Sequence, residues 1–183
     1  MNEELQQRLS RVKLLALDVD GTLTDGGLIF EADGAEMKRF HTQDGLGIVL
    51  ARDVGLETAI LTGRDSAIVR YRAAELGIPR HLVLQGVHNK VEALRRIATM
   101  SNIQLDEMAF MGDDLNDLPA MNAVAAGLAP ANAVPFVRAA AAWVSTRNGG
   151  EGAVREAIEQ VLLARGLYEE AIRRYLEKLT PGQ

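Results

Sequence analysis

The sequence predicts an α/β fold in which one parallel β-sheet carries helices on both faces, and three observations predict it. Apolar runs that end in polar residues recur at Val12–Leu17, Glu57–Thr62 and Met108–Gly112. Such runs read as buried parallel strands emerging into loops. Segments of helical periodicity lie between them, and strands alternating with helices build parallel sheets through right-handed crossovers. Finally, 183 residues of which 48% are hydrophobic suffice for one well-buried core.

Taken in order, the start MNEELQQRLSRVK is polar and helical, and VKLLALDVDGTLTD is the first strand with its loop. Leu28–Phe30 and Met37–Phe40 flank Ala32-Asp33-Gly34, and a DG pair between apolar stretches signals a hairpin, placed at about residues 28–41. Asp44 reads as the cap of a helix to about Arg52, with Gly55 as its stop. Glu57–Thr62 is the second core strand. Ser66 caps a helix to Leu76, ended by Gly77 and Pro79. His81–Leu84 is a short third strand, and Lys90 to about Met100 is a helix with Val91, Leu94 and Ile97 on one face. Met108–Gly112 is the fourth strand, Asn116–Asn122 a short helix and Ala123–Leu128 the fifth strand. Pro135–Ala141 is a helix, Trp143-Val144 part of a last strand and Glu151–Arg165 a helix. The expected organisation is one core domain over residues 1–166 and a tail over residues 167–183, helical or frayed.

Composition excludes several classes. A net charge of −5 argues against a nucleic-acid partner, whose binding surface is normally basic. With no cysteine, neither disulfides nor thiolate metal sites are available, which fits a cytoplasmic protein. The first apolar run is broken by Asp18, and the apolar stretch Ala123–Trp143 by Pro130, Pro135 and Arg138, so neither a signal-peptide core nor a membrane span is expected.

Parallel strands share a carboxyl edge, where open α/β sheets bind ligands. Three predicted strands end there in chemically loaded residues: Asp18 and Asp20, Thr62, and Asp113 with Asp114. Lys90 opens a helix after the third strand and can reach the same edge. Singly each has a plain explanation: a turn carboxylate, a turn hydroxyl, a helix cap, a solvated cation. Jointly, carboxylates from two strands suit a hard cation such as Mg²⁺, and a lysine, a threonine hydroxyl and free N–H groups suit phosphate oxygens. This describes a phosphoryl-transfer site.

The set resembles the haloacid dehalogenase superfamily, on DVDGT at Asp18–Thr22, Thr62 with Gly63 and Arg64, Lys90, and GDDLND at Gly112–Asp117. The hairpin, FHTQDGLGI, ILTGR, QGVHNK, GDDLNDLP and GGEGAVREA look like its 3-deoxy-D-manno-octulosonate 8-phosphate phosphatase family, over nearly the whole chain. The resemblance implies a three-layer αβα Rossmann-like sheet with a hairpin inserted after the first strand and no cap domain. It implies a Mg²⁺-dependent phosphoric monoester hydrolase with Asp18 as nucleophile and Asp20 as acid and base. Thr62 and Lys90 would hold the phosphoryl group. Mg²⁺ would sit on the Asp18 and Asp113 carboxylates and the Asp20 main-chain carbonyl, with Asp114 and Asp117 in support.

By the same resemblance Gly63, Arg64, Arg72 and the segment His41, Thr42, Gln43, Asp44 and Gly45 would meet a sugar-acid phosphate. Tetramers would form through the hairpin, a neighbouring subunit capping the site. Gln43 and Val49 stand where the family often carries a basic residue. A nonulosonate 9-phosphate phosphatase, which often has Glu where Arg64 stands, and a broad sugar-phosphate phosphatase are therefore the alternatives. A phospho-receiver, which would want no acid two residues after its phosphoacceptor, and a noncatalytic phosphatase-like module rank below them.

Overall fold

The structure, a computed structural model, describes residues 2–180; the end of the expected tail, 181–183, lies outside the described residues. Helix α1 (Glu3–Ser10) is capped by Asn2, whose side chain accepts the Leu5 N–H at 2.9 Å. It leads into β1 (Leu14–Leu17), buried along its whole length. The sheet has the order β5 (Val83–Leu84), β4 (Glu57–Leu61), β1, β6 (Met108–Met111), β7 (Ala126–Ala129), β8 (Trp143–Val144), and every neighbouring pair is parallel. Strand β1 lies at the centre with β4 on one side and β6 on the other. Leu17 pairs with Ile60 and with Met111, so the three strands end level and their following residues meet at one edge.

Helices cover the sheet as expected. Helix α2 (Thr42–Asp53) packs on α7 (Ala153–Ala164) and on α8 (Tyr168–Leu179), and α1 also packs on α7. Helix α3 (Ala67–Glu75) meets α2 where Arg52 Nη1 donates to the Leu76 carbonyl at 2.8 Å. Helices α4 (Lys90–Ser101) and α5 (Leu118–Ala123) pack together, α5 lying over β6 and β7, with α6 (Pro135–Ala140) beside β7. The core is a single cluster of buried aliphatic side chains with Phe110 at its centre strand pair.

Several expected boundaries move. The hairpin is present as a separate antiparallel pair, β2 (Ile29–Phe30) and β3 (Glu36–Met37), with only Ile29 against Met37 and Phe30 against Glu36. Its turn is closed by Glu31 N–H on the Ala35 carbonyl at 2.8 Å, with Gly34 at φ +86°, the left-handed conformation the DG signal anticipates. Asp44 does not cap α2. The helix starts at Thr42, and the Asp44 carboxylate points away to accept the Arg155 N–H of α7 at 2.7 Å. The third strand begins late, because Pro79 starts a 3₁₀ turn over Arg80–Leu82. The fifth begins at Ala126, since α5 runs to Ala123. The segment after Gly166 is helix α8, held on α2 by Arg174 Nη1 on the Asp53 carbonyl at 2.8 Å and by Lys178 against the Asp53 carboxylate at 2.7 Å. No described helix is long and apolar enough to cross a membrane.

Candidate active site

The carboxyl edge of β1, β4 and β6 gathers the charged residues. Asp18 follows β1 directly, its N–H bound to the Met111 carbonyl at 3.0 Å, so the strand pairing itself sets where its buried side chain points. Lys90, first residue of α4 and also buried, places its Nζ 2.8 Å from Asp18 Oδ1 and against Asp117 Oδ1. Asn89 caps that helix by accepting the Glu92 N–H, which settles where Lys90 enters.

Asp113 follows β6. The Thr22 hydroxyl donates to its Oδ1 at 3.4 Å. Asp117 is fully buried, and its Oδ2 accepts the Asp113 and Asp114 N–H groups at 3.0 and 3.3 Å, folding the GDDLND loop around itself. Asp114 is exposed and caps the 3₁₀ turn Leu115–Asp117 by accepting the Leu115 N–H.

Ligand oxygens of Asp18, Asp113 and Asp117 all lie within 4.8 Å of one another. Burial is the main reason the Asp18 carboxyl is pushed up to about 6, with Lys90 opposing and Asp117 reinforcing. Burial and the neighbouring carboxylates of Asp18, Asp117 and Asp114 push Asp113 up to about 7. Lys90 is held above its ordinary value: burial opposes its charge, but Asp18 and Asp117 outweigh it. Carboxylates crowded until they retain protons near neutrality are a site short of positive charge, and the all-oxygen donor set suits Mg²⁺. Asp117 has both oxygens engaged by Lys90 and two N–H groups, so Asp18 and Asp113 are the carboxylates open to an ion.

Glycines let this edge close up. At Gly21 (φ +92°) a Cβ would lie 2.0 Å from Asp113 Oδ2. The loop before α7 presses on the same stretch: a Cβ on Gly149 would fall 1.8 Å from the Gly21 carbonyl oxygen, and the Gly150 N–H donates to the Thr22 carbonyl at 3.1 Å. The GGEG motif thus serves as a backbone wall behind the DVDGT loop.

Thr62 is buried at the end of β4, its hydroxyl accepting the Arg64 N–H at 3.3 Å beyond Gly63. Arg64 extends to Glu36 Oε1 at 2.9 Å and lies 4.0 Å from Asp20 Oδ2. Lys38, which sequence reasoning missed, contacts Asp20 Oδ1 at 2.5 Å.

The second expected cluster stands apart. His41, Asp44, Gly45 and Arg72 line a cavity of about 10 Å³ with Phe40 and Leu23. Arg72 is paired with Glu75 at 2.7 Å and lies over the Phe40 ring at 5.8 Å. Burial pushes the Asp44 carboxyl up, opposed by the Arg155 N–H. Thr42 and Gln43 are exposed on the first turn of α2. Among the described residues, no hydrogen bond or ion pair joins this group to Asp18, Asp20, Thr62, Lys90 or Asp113.

A family model for haloacid dehalogenase-like hydrolases matches residues 81–158. The 3-deoxy-D-manno-octulosonate 8-phosphate phosphatase of Haemophilus influenzae is 40% identical over 162 residues, 88% of this chain and 89% of that protein. The chain belongs to this phosphatase family. The Escherichia coli K12 phosphatase of the same name is 41% identical over 90% of this chain and 86% of its own. The Moraxella catarrhalis phosphatase, solved in complex with magnesium ion, phosphate ion and KDO, superposes with a TM-score of 0.91 at 39% identity, covering 96% of this chain and 99% of that one. A probable phosphatase from Pseudomonas syringae is 44% identical with the same TM-score, over 96% of this chain and 99% of that one. The α/β fold described above is thus shared with solved phosphatases of this family.

Proposed function

We propose that this chain hydrolyses 3-deoxy-D-manno-octulosonate 8-phosphate to the free sugar acid and inorganic phosphate. The observation that carries the reading is the meeting of Asp18, Lys90 and Asp113 at one sheet edge in a chain of this family. Asp18 and Asp113, with the Asp20 main-chain carbonyl, would hold Mg²⁺, which neutralises the charge between a carboxylate nucleophile and a phosphate dianion.

Asp18 attacks phosphorus in line, forming an aspartyl phosphate as the bond to the sugar oxygen breaks. Asp20 delivers a proton to that oxygen, then takes one from the water that cleaves the aspartyl phosphate, a role typically worth about a hundredfold to ten-thousandfold. Thr62 and Lys90 hold the transferring oxygens, where positioning and electrostatics do most of the work. Asp117 keeps Lys90 and the loop in place, and Asp114 ends the loop in a turn. Arg64, with 44% of its side chain exposed, is free to leave Glu36 for an anionic sugar acid.

The exposed Leu28, Ile29, Phe30 and Met37 support assembly through the hairpin into a homotetramer, and the absence of cysteine agrees with a cytoplasmic enzyme. Phosphate release in Mg²⁺ from octulosonate, nonulosonate and hexose phosphates tests the substrate. A clear preference for the octulosonate supports the reading, and near-equal rates on all three would remove it.

A further inference from the structure

The hairpin does more than offer an apolar face. From Glu36 onward its second leg alternates: Glu36, Lys38 and Phe40 are half-buried, Met37 and Arg39 exposed. The period of two continues past the paired residues, so an extended chain carries Glu36 and Lys38 on one face. That face turns toward the DVDGT loop. Lys38 Nζ lies 2.5 Å from Asp20 Oδ1 and 3.1 Å from Glu36 Oε1, and its side chain is only 1% exposed. The neighbouring Arg39 binds Asp25 at 2.5 Å, so two successive residues tie this leg to the loop after β1.

The two cations beside Asp20 differ in freedom. Arg64 stands 4.0 Å from Asp20 Oδ2 with 44% of its side chain exposed, whereas Lys38 has no surface from which to reach solvent or a ligand. An ammonium buried between two carboxylates is committed to them, since taking either away leaves charge unpaired in the interior.

We infer that Lys38 is a positioning residue for proton transfer: it grips Oδ1 of Asp20, fixed in turn by Glu36, and leaves Oδ2 as the oxygen that passes the proton. The inference deepens the proposed function and rests on the role given there to Asp20. In the first step, the O–H bond on Oδ2 breaks as its proton joins the sugar oxygen and phosphorus passes to Asp18. In the second, Oδ2 takes a proton from water as the water oxygen bonds to phosphorus and the Asp18 oxygen leaves. Lys38 keeps its own protons throughout. The hairpin thereby becomes part of the catalytic framework, and strand pairing between Phe30 and Glu36 sets where the acid points.

The test compares two leaving groups in single-turnover phosphoryl transfer. Octulosonate 8-phosphate loses an alkoxide that needs a proton, while p-nitrophenyl phosphate loses a phenolate that needs almost none. In Lys38→Met, transfer from the sugar phosphate should fall on the order of a hundredfold, the scale of a misplaced proton donor, with little change on the aryl ester. Lys38→Arg should regain part of the loss, and the thermal shift produced by Mg²⁺ should stay at its wild-type value, showing a folded site. Equal losses on both esters, or none, overturn the inference, because a merely structural lysine would not distinguish leaving groups. Asp20→Asn measured in parallel should show the same selectivity. If it does not, the role of Asp20 falls and the inference with it, whereas absence of octulosonate 8-phosphate turnover by the wild type would refute the proposed function itself.

Discussion

Replacing Asp117 separates two readings of the acidic cluster. Its oxygens lie close enough to those of Asp18 and Asp113 to share an ion, yet they are already taken by Lys90 and by the Asp113 and Asp114 N–H groups. If Asp117 is a strut, Asp117→Ala strips the acceptor from two N–H groups, at about 1 kcal/mol each, and one of the two partners of a buried ammonium, at about 1.5–3 kcal/mol. The sum, about 3.5–5 kcal/mol, falls within the usual cost of breaking a buried ion pair. For a chain of this length that is a fall of roughly 7–20 °C in Tm. Calorimetry in chelator and in excess Mg²⁺ reads both terms. Metal at a hundred times its Kd stabilises by about 2.7 kcal/mol, and a strut variant keeps most of that increment on a lowered baseline. A metal-free variant as stable as the wild type that also fails to respond to Mg²⁺ would make Asp117 a ligand and refute the reasoning.

Further outcomes follow from the same contacts. Because Asp113 and Asp18 are raised in the metal-free fold to about 7 and about 6, above the ordinary 3.8, the folded state holds extra protons between these values. The contribution of these two carboxyls to metal-free stability should therefore be complete near pH 4 and be lost as pH rises toward 7, read as the difference in unfolding free energy between the wild type and the Asp18→Asn and Asp113→Asn variants. Mg²⁺ binding should release protons and be about twentyfold weaker at pH 6 than on its plateau above pH 8, measurable by titration calorimetry in buffers of different ionisation enthalpy. Gly21→Ala places a methyl 2.0 Å from Asp113 Oδ2 at φ +92°, so it should lose about 1–2 kcal/mol in denaturant unfolding and weaken Mg²⁺ binding in the same calorimeter. Phe30→Glu, on the exposed face of the hairpin, should leave the fold intact by circular dichroism and shift sedimentation toward smaller species.

What could be read from sequence was whatever depends on local periodicity. Leu14–Leu17 and Met108–Met111 are unbroken apolar runs, and two such runs joined by helical segments must lie parallel, so Asp18 and Asp113 were bound to meet. The family resemblance added roles to those positions. Less legible was anything decided by an acceptor far along the chain. Asp44 sits where an acid could serve its own helix, but the N–H it satisfies belongs to Arg155, 111 residues later. Lys38 was within reach of the argument: the hairpin was expected, and strand alternation puts Glu36 and Lys38 on one face. Only the tertiary placement of that face shows that it meets Asp20. The short strands β5 and β8 have one neighbour each, so their limits follow the ladder and the turns beside them, not a hydrophobic run.

The central claim is that Asp18 carries the phosphoryl group. Rapid quenching of the Mg²⁺ enzyme during turnover of ³²P-labelled octulosonate 8-phosphate, followed by peptide mapping, tests it most directly. The account predicts acid-stable label on the peptide containing Asp18, lost in Asp18→Asn together with turnover. Turnover by Asp18→Asn at the wild-type rate, or label on another peptide, would contradict it.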